Sequence, residues 1–308
     1  MIDNNLPIIH IGLGKTGSTF LQKKIFPKLC KFINYQYFKD NYNLFEKLSE
    51  HKINLKLGFK TNKIEMNNNA FISMEGLSSW GDPFYWEDHS IQNLRAFGSN
   101  VNILIFIRKP SDFLTSAFIQ RCFHKGNIME ESFFFLKDQI YSERLNSPKF
   151  AIDKFSYKDL IDFYRQKFRN VFVFKYELLN NLEFLKILFN LDEDQLKFLQ
   201  KNNPSKDNKS FSNSSIILTK KISKFLNFFS LDFVNGSKNV SLRTISELKG
   251  KKLKYEFKNY RWRYFVQNYL DKYFFHKPYI INFDRIKIDI NELNSEYKKL
   301  DDHYIFKS

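Results

Sequence analysis

One lysine and several hydroxyl side chains are concentrated in a glycine-rich segment near the amino terminus, spanning residues 12–19. An apolar run with three isoleucines precedes the segment and a helix-like pattern follows it, which predicts a strand, a loop and a helix. In such a unit the loop amides and the helix N-terminus point at one small volume and favour an oxyanion there. The side chains available to hold a phosphate or a similar group are Lys15, Thr16, Ser18 and Thr19.

The loop satisfies only part of the motif that is typical of P-loop NTPases. That motif, G-x-x-x-x-G-K-[ST], ends correctly at Gly14-Lys15-Thr16, but its first glycine would fall on Ile9. A P-loop kinase or NTPase with a degenerate loop therefore stays one alternative.

The same glycines also have the spacing of a dinucleotide-binding fingerprint, Gly12-x-Gly14-x-x-Gly17. That fingerprint requires an acidic residue at the tip of the next strand. The next apolar run, residues 32–38, reaches no carboxylate before Asp40. A turn without a ligand is the remaining alternative, although three glycines and four polar donors make a poor core-facing turn.

Two further apolar runs, residues 70–76 and 101–107, end in charged side chains. Glu75 lies at the end of the first run, and Arg108 directly follows the second. We interpret both runs as buried parallel strands. Because ligands of open parallel sheets bind beyond the carboxyl ends of the strands, we expect the loop, Glu75 and Arg108 to converge at one edge.

The rest of the chain alternates strand-like and helix-like segments, which predicts parallel β-α-β units and an α/β fold with helices on both faces of the sheet. Pro27 is expected to end or kink the first helix. The other strands are expected at residues 32–38 and 171–177, and the other helices at residues 41–52, 87–97, 130–145, 157–168, 182–189, 216–229 and 246–275, with one more ending near residue 125.

We expect a single domain over residues 1–308. It consists of an α/β core, residues 7–215, and a mainly helical extension, residues 216–308, with an acceptor-side or packing role. A polar stretch at residues 202–215 is interpreted as a loop or lid. No internal repeat is evident in the sequence.

The chain is strongly basic, with 308 residues, a formal charge of +16 and a pI near 9.5. Such a charge indicates an anionic partner: a nucleotide, a polyanion, nucleic acid or an anionic membrane surface. The chain is also rich in lysine, asparagine and phenylalanine throughout, so a general compositional bias explains the charge equally well.

The two cysteines, Cys30 and Cys122, lie in apolar helix-like stretches and are interpreted as reduced, buried thiols. The sequence shows neither a signal-peptide pattern nor an apolar run of about 18 residues that could span a bilayer. We therefore expect a cytoplasmic protein without a membrane span.

The segment Lys15-Thr16-Gly17-Ser18-Thr19 resembles the donor-binding loop of sulfotransferases that use 3′-phosphoadenosine 5′-phosphosulfate (PAPS). In that family an arginine at a strand end and a serine eight positions later bind the 3′-phosphate, and Arg108 and Ser116 match this arrangement. The chemistry is suitable, because a guanidinium group binds phosphate oxygens in a bidentate manner.

Further similarities extend the resemblance over residues 7–215. Ile72-Ser73-Met74-Glu75 is similar to a strand of the carbohydrate-acting branch, and residues 173–179 are similar to a late strand and turn, interpreted as structural. Residues 207–212 resemble an Asn-x-Ser segment near the nucleotide, which implies that Lys209 or Ser210 closes over the 3′-phosphate.

The resemblance implies a P-loop-like sulfotransferase fold and transfer of a sulfuryl group from PAPS to a hydroxyl of a carbohydrate or glycan. The product nucleotide would be 3′,5′-adenosine bisphosphate, and no metal is required. Glu75 would be the general base, with His124 or His89 as replacements, whereas His10 is interpreted as a packed core residue. The implied donor-binding residues are Gly14, Lys15, Thr16, Gly17, Ser18, Thr19, Arg108, Ser116, Lys209 and Ser210.

An alternative from another class is a non-catalytic binder of a polyanion or nucleic acid. Residues 249–263 are basic and aromatic and would form its binding surface. In the sulfotransferase interpretation no nucleic-acid partner is expected.

Overall fold

The fold is given by a computed structural model that describes residues 2–39, 47, 63–78, 86–124, 130–136, 150–201, 212–228, 269–273, 277–300 and 303–307. The chain forms two compact units. Unit 1 comprises Met1–Pro110, Leu136–Asp207 and Asp289–Ser308, and unit 2 comprises Ser111–Phe135 and Asn208–Ile288.

Unit 1 is built on a six-stranded sheet. Its strands are β1 (Ile8–His10), β2 (Gln36–Lys39), β3 (Ala70–Ser73), β4 (Asn102–Ile107), β7 (Asn170–Lys175) and β8 (His303–Lys307), in the order β2-β3-β1-β4-β7-β8. The first five are parallel, and β8 pairs with β7 in the antiparallel direction. Two short strands, β5 (Phe135–Leu136) and β6 (Phe150–Ala151), lie outside this sheet.

Helices follow the parallel strands β1, β3 and β4, so the expected α/β architecture with helices flanking a parallel sheet is confirmed. Within the described residues, 3-10 turns lie at Glu75–Leu77, Ile152–Lys154, Tyr176–Asn180 and Asp284–Ile286. The helices are α1 (residues 18–32), α2 (Trp86–Phe97), α3 (Pro110–His124), α4 (Glu131–Phe134), α5 (Tyr157–Lys167), α6 (Glu183–Phe189), α7 (Glu193–Gln200), α8 (Asn213–Phe228), α9 (Asp271–Tyr273) and α10 (Ile290–Lys299).

The sheet of unit 1 is buried, as parallel sheets require. All six residues of β4 and the first five of β7 are buried. Successive side chains of a strand point to opposite faces. On one face, phenylalanines of the central strands pack against apolar side chains of α1 and α6. This cluster includes Phe106, Phe172 and Phe174 of the strands, Leu21, Ile25 and Phe26 of α1, and Leu185 and Leu188 of α6.

Unit 2 contains a partly buried ionic cluster of its own. Lys220 Nζ lies 2.8 Å from Glu131 Oε1 and 3.5 Å from Glu130 Oε2, and the Tyr279 hydroxyl also donates to Glu131. Burial acts to raise the pKa of Glu131, but the hydrogen bonds from Lys220 and Tyr279 outweigh it and lower the pKa. The carboxylate therefore stays charged and joins α4 to α8.

The first helix does not end at Pro27. Helix α1 consists of Ser18–Phe20, a π-helical turn at Leu21–Ile25 and the α-helical segment Phe26–Phe32. Proline has no N–H to donate and its ring collides with a carbonyl of the preceding turn. Pro27 lies at the start of the third segment, directly after the π turn, where the helix type changes.

Two other predictions of local structure are wrong in their bounds. The strand expected at residues 32–38 begins only at Gln36, because Phe32 closes α1 and Asn34 adopts a left-handed φ of 58°. The helix expected at residues 130–145 is interrupted, since Glu131–Phe134 is helical but Phe135–Leu136 forms β5, and residues 137–145 lie outside the described residues.

Several expected elements lie outside the described residues. They are the helix at residues 41–52, most of the polar stretch at 202–215, and most of the helix at 246–275. The division of a single domain near residue 215 stays a prediction. Within the described part of the chain, no helix has the length and apolar character needed to cross a membrane.

Candidate functional site

The glycine-rich loop between β1 and α1 is held by close backbone approaches. Gly12 has a φ of +87°, and a Cβ there would lie 2.9 Å from Glu75 Cα, closer than real Cβ atoms come. Gly17 precedes α1 with a φ of +81°, and a Cβ there would lie 2.3 Å from a methyl carbon of Leu179. Both positions therefore need glycine, and the loop touches the chain segments that follow β3 and β7.

Lys15 is half-buried in this loop and adopts a φ of +70°. A left-handed conformation costs a residue other than glycine about 1–2 kcal/mol. The carbonyl oxygen of Lys15 accepts a hydrogen bond from Arg108 Nη1 at 3.3 Å. The loop is thereby tied directly to the end of β4.

The three hydroxyl groups of the loop have different environments. Thr16 is fully buried, and its hydroxyl donates to the Leu13 carbonyl at 2.6 Å, so it braces the loop from inside. Ser18 is also buried, and its hydroxyl donates to Glu75 Oε1. Thr19 is exposed in the first turn of α1.

Glu75 begins a 3-10 turn directly after β3. Its half-buried carboxylate accepts the Ser18 hydroxyl hydrogen bond at the N-terminus of α1. A Cβ placed on Gly14 would lie 3.9 Å from Glu75 Oε2. The carboxylate therefore lies against the loop, at the end of the helix that carries partial positive charge.

His10 forms a buried side-chain contact between β1 and β3, the strands that precede the loop and Glu75. It lies on β1 opposite Ser73 of β3, and His10 Nδ1 is 2.7 Å from Ser73 Oγ. Gln22 of α1 donates from Nε2 to the Ser73 carbonyl at 3.2 Å. Complete burial lowers the pKa of His10 to about 3, so the imidazole is neutral and structural, as expected of a packed core residue.

Arg108 follows β4 and lies against Tyr176, which follows β7. Its guanidinium carbon is 4.7 Å from the centre of the Tyr176 ring. Among the described residues, the buried Nε of Arg108 has no hydrogen-bond partner. A buried N–H of a guanidinium that lacks a partner marks a place where an anion would be stabilised.

The backbone at Arg108 is fixed by a buried phenol. The Tyr157 hydroxyl donates to the Arg108 carbonyl at 2.8 Å. Burial raises the pKa of Tyr157 well above its usual value, so the hydroxyl keeps its proton and acts as a donor. Ser156 caps α5 by accepting from the Asp159 amide at 3.1 Å, which sets the position of Tyr157 in the first turn.

The expected convergence of the loop, Glu75 and Arg108 is confirmed by these contacts. Glu75 contacts the loop through Ser18, and Arg108 contacts it through the Lys15 carbonyl. Tyr176 was missed, since its segment was interpreted as structural. The sequence feature that could have identified Tyr176 is the one that identified Arg108: a polar side chain directly after a buried parallel strand.

The other candidate residues belong to other elements or lie outside the described residues. Ser116 is half-buried on α3 and belongs to unit 2, as does His124 at the last position of α3. His89 lies on α2. Lys209 and Ser210 lie outside the described residues. Their expected roles stay predictions.

In the part of the chain that the structure describes, no three His, Cys, Asp or Glu side chains are grouped so that they could hold a metal ion. Cys30, on α1, is a free and buried thiol.

Comparison of the chain with protein-family models, with curated proteins and with solved structures finds no match. The Arg108 guanidinium, the Glu75 carboxylate and the N-terminus of α1 meet at the loop that carries Lys15, at the carboxyl edge of the sheet. That combination suits an anionic ligand together with one group that accepts a proton.

Proposed function

We propose that the protein is a sulfotransferase that moves a sulfuryl group from PAPS to an acceptor hydroxyl. The observation that supports this proposal is that the segments following β1, β3 and β4 are in contact. Ser18 donates to Glu75, and Arg108 donates to the carbonyl of Lys15. One carboxylate and one guanidinium therefore contact a loop that itself carries Lys15. The P-loop-like fold suggested by the sequence resemblance is part of the same proposal.

In this mechanism the donor's 5′-phosphate binds the loop amides and the N-terminus of α1. Lys15 neutralises charge on the 5′-phosphate and the bridging oxygen, and Arg108 binds the 3′-phosphate through the unpartnered Nε and its neighbouring N–H groups. Ser116, Lys209 and Ser210 are proposed to complete that second phosphate site.

The reaction is a single in-line displacement. The acceptor oxygen forms a bond to sulfur while the bond between sulfur and the 5′-phosphate oxygen breaks, and that oxygen keeps the electron pair. Glu75 accepts the proton of the acceptor hydroxyl. Catalysis then consists mainly of positioning and charge stabilisation, as in phosphoryl transfer.

Glu75 and Ser18 change partners in this scheme. In the structure the Ser18 hydroxyl donates to Glu75. With donor bound, Ser18 donates to the 5′-phosphate instead, and the freed carboxylate is the base for the acceptor. Thr16 contributes through its backbone only, since its hydroxyl is committed to the Leu13 carbonyl.

The complete burial of Thr16 favours this function over a P-loop kinase or NTPase. In those proteins the hydroxyl that follows the loop lysine binds Mg²⁺. Here that hydroxyl belongs to Thr16, which is fully buried and donates to the Leu13 carbonyl at 2.6 Å. The polyanion-binding alternative depends on residues 249–263, which lie outside the described residues.

The proposed acceptor is a hydroxyl of a saccharide, which rests only on the resemblance around Ile72–Leu77. The proposed compartment is the cytoplasm. The test is incubation of the purified protein with PAPS labelled in its sulfuryl group and a set of oligosaccharides. We expect labelled sulfated product together with 3′,5′-adenosine bisphosphate. Label that stays on the nucleotide with every acceptor would count against sulfuryl transfer.

A further inference from the structure

A cavity of about 420 Å³ lies in unit 1 between the helices α5 and α10. It falls within the size range of small-molecule sites, ~300–1,000 Å³. Both helices have capped first turns: Ser156 accepts from the Asp159 amide, and Asp289 accepts from the amides of Asn291 and Glu292. The walls of the cavity are therefore rigid helical segments.

The position of the cavity follows from strand pairing. His303, the first residue of β8, pairs with Phe174, next to the last residue of β7. The carboxyl end of α10 therefore lies at the edge of the sheet where the parallel strands end. On the other wall, the Tyr157 hydroxyl donates to the carbonyl of Arg108. The cavity thus lies near the edge of the sheet that also holds the candidate functional site.

The interior of the cavity is apolar. Its two phenol hydroxyls are already used by the protein, since Tyr157 donates to the Arg108 carbonyl at 2.8 Å and Tyr297 donates to Glu177 Oε2 at 2.7 Å. These two side chains therefore offer ring carbons rather than hydroxyls to a ligand. The carbon-rich lining consists of Phe155, Tyr157, Ile161, Leu293, Tyr297 and Leu300.

Charged side chains surround the mouth of the cavity. Asp162 lies 2.6 Å from Lys158 Nζ and 3.9 Å from Arg165 Nη1, so much of the charge is compensated within α5. Glu296 and Lys299, of opposite sign, line the α10 side. A rim with nearly balanced charge does not select a highly charged ligand.

From this lining we propose that the cavity is a binding site for a small molecule with a flat, apolar body and one uncharged polar group, such as a hydroxyl. The apolar body packs against the side chains of Tyr157, Ile161 and Leu300, and the polar group lies at the charged rim. A saccharide is a poor ligand for this cavity, because each buried hydroxyl would lose its hydrogen bonds to water without replacement.

This site is independent of the proposed sulfuryl transfer and is tested without nucleotide. The probe is 2-naphthol, titrated calorimetrically into the full chain, with glucose as the polar comparison. We expect 2-naphthol to bind with a Kd on the order of 100 µM, as its size allows. Glucose is expected to give no binding heat.

Variants that fill the cavity test whether 2-naphthol binds inside it. Ile161→Trp and Leu300→Trp place bulk inside it, and each is expected to weaken 2-naphthol binding at least tenfold. The matched control is Ile187→Trp on α6, where Ile187 is 56% exposed and outside the cavity lining, and it should bind like the wild type. Circular dichroism confirms that each variant is folded. Because two positions are substituted separately, the test still gives a result if one of the two variants does not fold.

Every outcome decides the assignment. Binding of 2-naphthol that is lost in the filled variants and kept in Ile187→Trp supports it. No binding to the wild type, equal binding to the filled variants, or preferential binding of glucose overturns it. Binding of 2-naphthol without any sulfuryl transfer would leave this site intact while counting against the proposed function.

Discussion

The Ser18 hydroxyl donates a hydrogen bond to the Glu75 carboxylate, which joins the first turn of α1 to the end of β3. A negative side chain therefore stands at the helix N-terminus where the phosphate of a donor is proposed to bind. A carboxylate at this position is stabilised by the same partial charge that would stabilise a phosphate. Glu75 and an anionic ligand then compete for one volume, and this has a measurable consequence.

Glu75→Gln removes that competition without removing the acceptor for the Ser18 hydroxyl. We expect 3′,5′-adenosine bisphosphate to bind roughly fivefold more tightly, since the loss of a nearby like charge is worth on the order of 1 kcal/mol. Sulfuryl transfer should fall at least 100-fold, because the variant lacks the base. Calorimetry measures the first effect, and Glu183→Gln on the exposed first turn of α6 is the control. Weaker nucleotide binding in Glu75→Gln would show that the carboxylate does not compete with the phosphate.

Lys15→Ala removes the only full charge carried by the loop. We expect transfer to fall at least 1,000-fold, because the leaving 5′-phosphate loses its charge stabilisation. The melting temperature should change little, since Lys15 is half-buried in a loop and alanine adopts the same backbone at similar cost. A labelled-PAPS assay and a thermal melt measure the two effects. The exposed neighbour of Arg108, Lys109, provides the control variant Lys109→Ala. Near-normal transfer by Lys15→Ala would remove the loop from the mechanism.

Arg108→Lys keeps the positive charge but loses the planar guanidinium group with its several N–H donors. The guanidinium lies 4.7 Å from the Tyr176 ring centre and also donates to the Lys15 carbonyl, a geometry that an ammonium group cannot reproduce. We expect the affinity for 3′,5′-adenosine bisphosphate to fall at least tenfold. The control is Arg169→Lys at an exposed ion pair with Asp3, 3.6 Å long. If Arg108→Lys and Arg169→Lys bind the nucleotide equally well, Arg108 does not bind its 3′-phosphate.

His10→Gln tests the buried imidazole through pH. The pKa of His10 is lowered from 6.5 to about 3 by burial, so between those values the unfolded chain binds a proton that the folded chain does not. The wild type therefore loses stability as pH falls through this window, by about 1.4 kcal/mol per pH unit. Relative to His10→Gln, the free energy of unfolding should drop by roughly 2–3 kcal/mol between pH 7 and pH 4.5. Urea unfolding at several pH values measures it, and parallel pH curves for the two proteins would exclude a buried neutral histidine.

Much of the sheet and the core of the site could be predicted from the sequence. Residues 70–76 and 101–107 are continuous apolar runs followed by a charged residue, and this pattern located Glu75 and Arg108 at strand ends. Because the carboxyl ends of parallel strands lie at one edge of the sheet, the loop, Glu75 and Arg108 were expected to share that edge.

The errors arose where apolar periodicity is ambiguous. Residues 133–136, Phe-Phe-Phe-Leu, fit a helix or a strand equally well, and tertiary packing divides them between α4 and β5. Strand β8 was not predicted, because a short antiparallel edge strand after a helix lacks the flanking pattern of a β-α-β unit. Side-chain partners such as Ser18 with Glu75 depend on three-dimensional approach and have no signal in the linear sequence.

The most direct test of the proposed function compares two nucleotides on the wild-type protein. Thermal melts are recorded with 3′,5′-adenosine bisphosphate and with ATP plus Mg²⁺, each at 1 mM. Because a ligand that binds only the folded state raises the melting temperature, we expect 3′,5′-adenosine bisphosphate to raise it by several degrees and ATP with Mg²⁺ to leave it nearly unchanged. Stabilisation by ATP with Mg²⁺ but not by 3′,5′-adenosine bisphosphate would contradict the account and favour a P-loop kinase or NTPase.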